Sequence, residues 1–231
     1  MAPSSSDAPF GTREHEMIKA VAFDLGNVLC KLDRDSCNAA LAVHSPLPAD
    51  EVGKLLWGGQ LEHDSETGRL DSHEYYRRIK EVIRGDQGWQ YEEFCDEYMN
   101  ALVPHPPGEQ AVVRARELGL RVFIISNTSF LHSRFIFSRE ILATIPELYA
   151  FSYKVGVMKP HPDMWRWLLE RSSLAAEECI YFDDVPAYCK AGASLGFRAS
   201  MHDLVHGNLV QELETMVGTV SSTVASASAA R

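Results

Sequence analysis

Apolar and polar positions follow two different periods along this chain. Four short runs are rich in β-branched and aromatic residues, and each stops at a polar residue: Ile18–Phe23, Leu120–Ile125, Tyr149–Tyr153 and Cys179–Phe182. Near-continuous apolar runs of this length suit parallel strands buried on both faces. Between them lie longer stretches with helical spacing. Glu109–Gly119 and Pro186–Gly196 each close on a glycine, and Pro162–Ser172 opens on a proline. Strand and helix in alternation predict an α/β fold with a parallel sheet and helices on both sides.

The alternation fails once. From about Arg34 to His105 only helical patterns occur, at Asp35–His44, Pro48–Gly59, Ser72–Ile83 and Tyr91–Val103, with Pro or Gly in the breaks. The spacing predicts a helical insert after the first strand, closed by the Pro104–Pro107 cluster. Placed there, it would lie over the C-terminal edge of the sheet, where open α/β sheets bind ligands. Residues 18–33 and 106–215 then form the core and 34–105 the insert. Residues 1–17 are Ser/Pro-rich, and 216–231 are small and polar with no apolar period, so both ends are expected to stay without fixed structure.

Composition narrows the function. The 231 residues carry 22 Lys plus Arg against 32 Asp plus Glu, a formal net charge of −10. Such a surface offers no field for nucleic acid or anionic membrane, although a local cationic site can still hold a small phosphorylated substrate. No apolar run reaches a membrane span and no signal-peptide pattern opens the chain. The five cysteines, Cys30, Cys37, Cys95, Cys179 and Cys189, are scattered and form no CxxC pair. Reduced thiols in a cytoplasmic protein are the expectation.

Four polar landmarks follow the apolar runs: Asp24, Ser126-Asn127, Lys159 and Asp183-Asp184. Strands of a parallel sheet present their C-terminal ends at one edge, so these distant groups should meet in one cleft. Two carboxylates from different strands can hold one Mg²⁺. A serine hydroxyl, nearby backbone N–H groups and a lysine ammonium can neutralise phosphate oxygens. A carboxylate can attack phosphorus and form an aspartyl-phosphate.

At these residues, across about Ile18 to Asp203, the sequence resembles the haloacid dehalogenase-like hydrolase superfamily. The segments AFDLGNVL, IISNTS, VGVMKPHPDMW and YFDDVPAYCKAGASLGF look like its four motifs in order. Their wording is most similar to the α-D-glucose-1-phosphate phosphatase group and to the N-terminal phosphatase domain of soluble epoxide hydrolase. The resemblance implies a three-layer α/β sandwich with a parallel Rossmann-like sheet and an inserted helical cap. It implies Asp24 as nucleophile and metal ligand, the Gly26 carbonyl and Asp184 as further ligands of Mg²⁺, and Asp183 in support. Ser126 and Asn127 would bind the phosphoryl group, and Lys159 would neutralise it and orient Asp24.

Two positions depart from the family pattern. Many phosphatases of the superfamily carry an acid/base Asp where this chain has Gly26, and relatives commonly place Asn where it has Tyr188. In the cap, His63 and Asp64 are candidates to read substrate hydroxyls or to act on the leaving group. Trp57 is a candidate lid or cap-core residue, His161 a rim residue, and Trp165 and Trp167 helix-packing residues. The expected activity is Mg²⁺-dependent hydrolysis of a small phosphorylated metabolite, such as a sugar phosphate. Its rivals are hydrolytic dehalogenation of a 2-haloacid, which also uses an Asp nucleophile but no metal, and a catalytically weak interaction protein that keeps the fold.

Overall fold

The computed structural model describes residues 17–228, with side chains through 218. The expectation for residues 1–16 therefore lies outside the described residues, as does that for 229–231. In chain order the elements are β1 (Ala20–Phe23), β2 (Cys30–Leu32), α1 (Arg34–Ala42), α2 (Ala49–Leu56), α3 (Gln60–Glu66), α4 (Ser72–Val82), α5 (Tyr91–Met99) and β3 (Leu102–Pro104). They continue with α6 (Pro106–Glu117), β4 (Arg121–Ser126), α7 (Phe130–Ser138), α8 (Glu140–Thr144), β5 (Leu148–Phe151), α9 (Ser152–Val155) and α10 (Asp163–Ser172). A 3₁₀ turn, Ala176–Glu178, leads to β6 (Cys179–Asp183), α11 (Pro186–Ser194), β7 (Arg198–Met201) and α12 (Leu209–Ser228).

Five strands form one parallel sheet in the order β5-β4-β1-β6-β7. The period of two explains its two buried faces. On one face Val21 and Phe23 align with Val122, Ile124, Ile180 and Phe182, and these pack under α6 and α12. On the other, Ala20 and Ala22 sit with Phe123, Ile125 and Tyr181 under α10 and α11. Because β1 lies between β4 and β6, the residues at the C-terminal ends of those three strands meet at the middle of one edge. This is the three-layer sandwich anticipated from the motifs.

The insert between β2 and β3 holds α1–α5 around its own apolar cluster, including Leu41, Leu56, Tyr75, Trp89 and Phe94. Asp33 caps α1 by accepting the Ser36 N–H at 3.0 Å, and Asp71 caps α4 by accepting the Glu74 N–H at 2.8 Å. Leu131 of α7 joins this cluster from the core side. In the core, Gly108 lets the first turn of α6 approach the chain after β1. A Cβ at that position would lie 2.7 Å from the Leu29 Cα.

Three expectations need correction. The insert is not helical throughout: β3 pairs antiparallel with β2, so the cap joins the core through a two-stranded ribbon. Its apolar residues extend the α5 pattern, which hid the change of period. The C-terminal stretch is not structureless through residue 228. Helix α12 continues to Ser228, with Leu213 buried and Met216 and Val217 packed on the core. Tertiary packing on α6, aided by an Arg114–Glu214 ion pair at 2.7 Å, outweighs weak periodicity. Finally, the Tyr149–Tyr153 run is strand only to Phe151, and its last two residues begin α9.

Candidate active site

Asp24 directly follows β1 and its N–H donates to the Phe182 carbonyl at 2.9 Å, which extends the ladder one residue into the cleft. Ser126 ends β4, and Asp183 ends β6. Lys159 comes from the loop before α10 and crosses beneath them. Its Nζ lies 2.9 Å from Asp24 Oδ1 and 2.6 Å from Asp183 Oδ2, and it also reaches the Ile125 carbonyl at 3.3 Å. Tyr181 hydroxyl donates to Asp183 Oδ2, and the Val185 N–H donates to Asp183 Oδ1 at 2.8 Å. Both oxygens of Asp183 are thereby taken up inside the protein.

Asp184 is placed differently. It lines the cleft beside Asp24, and its Oδ2 accepts from Asn27 Nδ2 at 3.0 Å. Asn27 holds a left-handed backbone (φ 54°) and its Oδ1 accepts the Leu32 N–H at 3.2 Å. It therefore ties the loop after Asp24 to the second acidic motif. Sequence reasoning passed over Asn27, although an Asn three residues after a candidate nucleophile is a signal of a turn that tolerates positive φ.

The ligand atoms of Asp24, Asp183 and Asp184 all lie within 4.8 Å of one another. One ammonium faces three carboxylates. Burial, opposed by Lys159 and reinforced by Asp183 and Asp184, pushes the Asp24 carboxyl up to about 7. Burial works against the Lys159 charge, yet Asp24 and Asp183 more than offset it and hold its pKa above the usual lysine value. The cluster is thus short of positive charge, and all its free donors are oxygens. That chemistry fits a hard divalent cation such as Mg²⁺, with Asp24, Asp184 and the Gly26 carbonyl as the groups able to hold it.

The cleft has a volume of ≈ 280 Å³ and brings together Asp24, Gly26, Ser126, Asn127, Lys159 and Asp184. These are the six residues that the resemblance places at the metal and the phosphoryl group. Asn127, however, turns its carboxamide to the backbone of Lys159. Tyr188 also lines the cleft, with Lys159 Nζ 5.0 Å from its ring centroid. Position 188 thus contributes an aromatic wall where relatives commonly place an amide.

The cap supplies a second wall, and here the candidates change. His63 is exposed and lines an adjoining hollow with Met158, Lys159 and His161. Asp64 is bonded to Gln60 Nε2 at 2.8 Å and to Arg69 at 3.3 Å. Neither lines the cleft. Their α3 neighbours Glu62 and Glu66 do, one helical turn apart, with Arg34 and Trp57. The reason is that Gln60–Glu66 is helical, a short segment whose i, i+4 pair was not read as one face. Arg34 stands over the Trp57 ring at 4.9 Å and lies 3.5 Å from Glu62. Trp57 serves both expectations: it lines the cleft and stacks on Tyr98 of the cap at 5.7 Å. His161 is exposed beside Asp163, while Trp165 is buried against Tyr181 and the Trp167 ring lies 4.0 Å from the Arg171 guanidinium carbon.

His132 of α7 completes the lining. It stacks on Tyr98 at 4.3 Å, and among the described residues its Nε2 has no hydrogen-bond partner. Burial pushes its pKa down to about 4, so the ring is neutral at pH 7.

A family model described as haloacid dehalogenase-like hydrolase matches residues 18–196, which span Asp24, Ser126-Asn127, Lys159 and Asp183-Asp184. The chain belongs to that family. It is 25% identical to "Phosphatase MT3486" of Mycobacterium tuberculosis over 80% of this chain and 88% of the relative. It is 21% identical to "D-ribitol-5-phosphate phosphatase" of Bacteroides thetaiotaomicron over 78% of this chain and 90% of that one. A HAD family enzyme of the same bacterium, solved in complex with magnesium and inorganic phosphate, superposes with a TM-score of 0.73 at 20% identity. That superposition covers 82% of this chain and 96% of the other. All five cysteines are free thiols. Among the described residues no helix is long and apolar enough to cross a membrane.

Proposed function

We propose that this hydrolase is a Mg²⁺-dependent phosphatase acting on a small phosphorylated metabolite, a sugar or polyol phosphate, in the cytoplasm. The observation that carries the reading is the pairing of Asp24 with Lys159 in a cleft where Asp184 supplies a second, cleft-facing carboxylate. Attack on a 2-haloacid carbon has no use for that second carboxylate. Two named phosphatases among the relatives, one of them acting on a polyol phosphate, support the same choice.

In this reading Lys159 holds Asp24 by one oxygen, which leaves the other directed to phosphorus. Asp24 attacks, the ester P–O bond breaks, and an aspartyl-phosphate forms. Ser126 hydroxyl and the Asn127 N–H bind the transferring phosphoryl oxygens, and Lys159 neutralises charge as it develops. Water then cleaves the acyl phosphate and frees Asp24. Bound Mg²⁺ would supply charge neutralisation between Asp24, Asp184 and the phosphoryl group. Arg34, Glu62, Trp57 and His132 offer hydrogen-bond donors, acceptors and an apolar ring to a hydroxylated leaving group. The ≈ 280 Å³ volume suits a metabolite and not a macromolecule.

The test is hydrolysis of p-nitrophenyl phosphate by the purified chain and by Asp24→Asn. Wild type should turn over with Mg²⁺ and stop with EDTA, and the variant should lose activity by more than about 10³-fold. Metal-independent release of halide from a 2-haloacid, or activity of Asp24→Asn within tenfold of wild type, would overturn the reading.

A further inference from the structure

The reaction proposed above needs a proton for the leaving oxygen, and the core does not offer one where relatives keep it. Position 26 has no side chain, and the space is filled by Leu32: a Cβ there would stand 3.0 Å from Leu32 Cδ1. We propose that Glu66, at the C-terminal end of α3 in the cap, is the catalytic acid that protonates the leaving group. The inference rests on the phosphatase reading.

Among the described residues, the ionisable groups lining the cleft are Asp24, Arg34, Glu62, Glu66, His132, Lys159, Asp184 and Tyr188. Asp24 and Asp184 are committed to attack and to metal. Lys159 is shared by two carboxylates. Arg34 does not give up its proton at any working pH. Glu62 is occupied, because it pairs with Arg34 at 3.5 Å and accepts the Gly58 N–H. His132 is neutral, and burial holds its proton affinity too low for it to arrive charged. Burial raises the Tyr188 phenol still further above its ordinary range. Glu66 differs from all of these. Among the described residues its carboxyl makes no hydrogen bond or ion pair, and it lines the cleft from the cap helix α3 while Asp24 lines it from the core.

The surroundings keep that carboxyl protonated. Burial is the largest cause, with Glu62 and Asp24 adding to it and Arg34 and Lys159 opposing, and together they push Glu66 up to about 8. Other ionisable groups lining the same cleft are Asp184 and Tyr188 from the core and His132 from α7, which is uncharged at neutral pH. A carboxylic acid poised near neutrality is suited to give a proton and take it back.

The proton balance closes over one turnover. Asp24 oxygen bonds to phosphorus as the P–O bond to the alcohol breaks. The departing oxygen takes the Glu66 proton, which leaves a neutral alcohol, the aspartyl-phosphate and a Glu66 carboxylate. Water then attacks the phosphoryl group, its proton goes to Glu66, and phosphate leaves with both carboxyl groups restored. A donor in the cap also places the acid beside the leaving group, while Asp24 and Lys159 work from the core side.

Glu66→Gln keeps the shape and removes the proton. Single-turnover phosphorylation would be measured at saturating Mg²⁺ with p-nitrophenyl phosphate, phenyl phosphate and D-ribitol 5-phosphate. The loss should grow with leaving-group basicity, from within about threefold for p-nitrophenyl phosphate to on the order of 10²-fold for the alkyl ester. With phenyl phosphate, kcat/KM of wild type should fall as pH rises through about 8, and Glu66→Gln should lack that limb. Glu66→Asp should recover part of the lost rate, which separates an acid from a purely structural group. Equal losses on all three esters, or a raised KM with kcat unchanged, would overturn the assignment and leave Glu66 as a substrate-holding group. Failure of wild type to hydrolyse p-nitrophenyl phosphate with Mg²⁺ would instead sink the phosphatase reading, so the two failures are distinguishable.

Discussion

The carboxamide of Asn127 grips the backbone of Lys159 from both sides. Its Oδ1 accepts the Lys159 N–H at 2.7 Å, and its Nδ2 donates to the Lys159 carbonyl at 3.0 Å. A loop residue 32 positions away is thus held by the residue that directly follows Ser126 at the end of β4. The lysine ammonium then reaches Asp24 from a fixed anchor.

Asn127→Ala should therefore act on rate more than on binding. Two partly buried backbone bonds would be lost, at about 1–3 kcal/mol of stability. A misplaced Lys159 should lower kcat by about 10- to 10²-fold. Steady-state kinetics and a denaturant melt check both, and an unchanged kcat would show that Lys159 is positioned without this clamp.

The adjacent acids should separate by the kind of damage they cause. Asp183 is fully buried and engages Lys159, Tyr181 and the Val185 N–H. Asp183→Ala should cost about 3–5 kcal/mol of folding stability, as for other broken buried pairs. Asp184 is bonded only to Asn27 among the described residues and faces the cleft. Asp184→Ala should keep the fold and move the Mg²⁺ dependence to higher concentration. Thermal melts with and without Mg²⁺, beside a Mg²⁺ titration of activity, separate the two effects.

His132 gives a pH dependence of known sign. The unfolded chain binds the imidazole proton near the ordinary value, whereas burial lowers the folded value to about 4. The unfolded state thus holds more protons between those limits, and stability is complete above about 6.5 and drains as pH falls towards 4. The loss is about 3 kcal/mol at full effect, from 1.4 kcal/mol per pH unit. His132→Phe should remove this drain, so the variant should be more stable than wild type at pH 4.5 in urea melts. A parallel decline of both proteins with acid would assign the effect to other groups.

Gly26→Asp alone should restore no acid, because its carboxyl has to displace Leu32. Overpacking there should cost about 1–3 kcal/mol. Adding Leu32→Ala opens the space, and the double variant should melt closer to Leu32→Ala than additivity of the two single changes predicts. Additive melting temperatures would show that position 26 has room already.

The core was readable in the sequence because its physics is local. Val21, Phe23, Ile124 and Phe182 lie in short, near-continuous apolar runs, and chain direction alone puts Asp24, Ser126 and Asp184 at one edge. The cap side of the site was not readable for the same reason. Glu66 enters the cleft through the docking of a seven-residue helix, and nothing in its neighbours marks it apart from His63 or Asp64. Edge strand β7 escaped notice because half-exposed Arg198 and Ser200 interrupt its apolar pattern. Asn127 was recognised as a site residue, but its partner, a backbone 32 positions away, is a tertiary fact.

Leu131 and His132 belong to a core helix, yet Leu131 stands inside the cap's apolar cluster and His132 stacks on Tyr98. Swinging the cap away on its ribbon would pull both into water. Exposing a leucine costs about 1.5–3 kcal/mol and breaking an aromatic stack about 0.5–1.5 kcal/mol. A hinged-open form would then make up only about one molecule in 30 to 2 × 10³ at rest. In the phosphatase reading proposed above, substrates would then be sorted by a gap of nearly constant width, and a bulky ester would be refused at the threshold before Asp24 has any part in the choice.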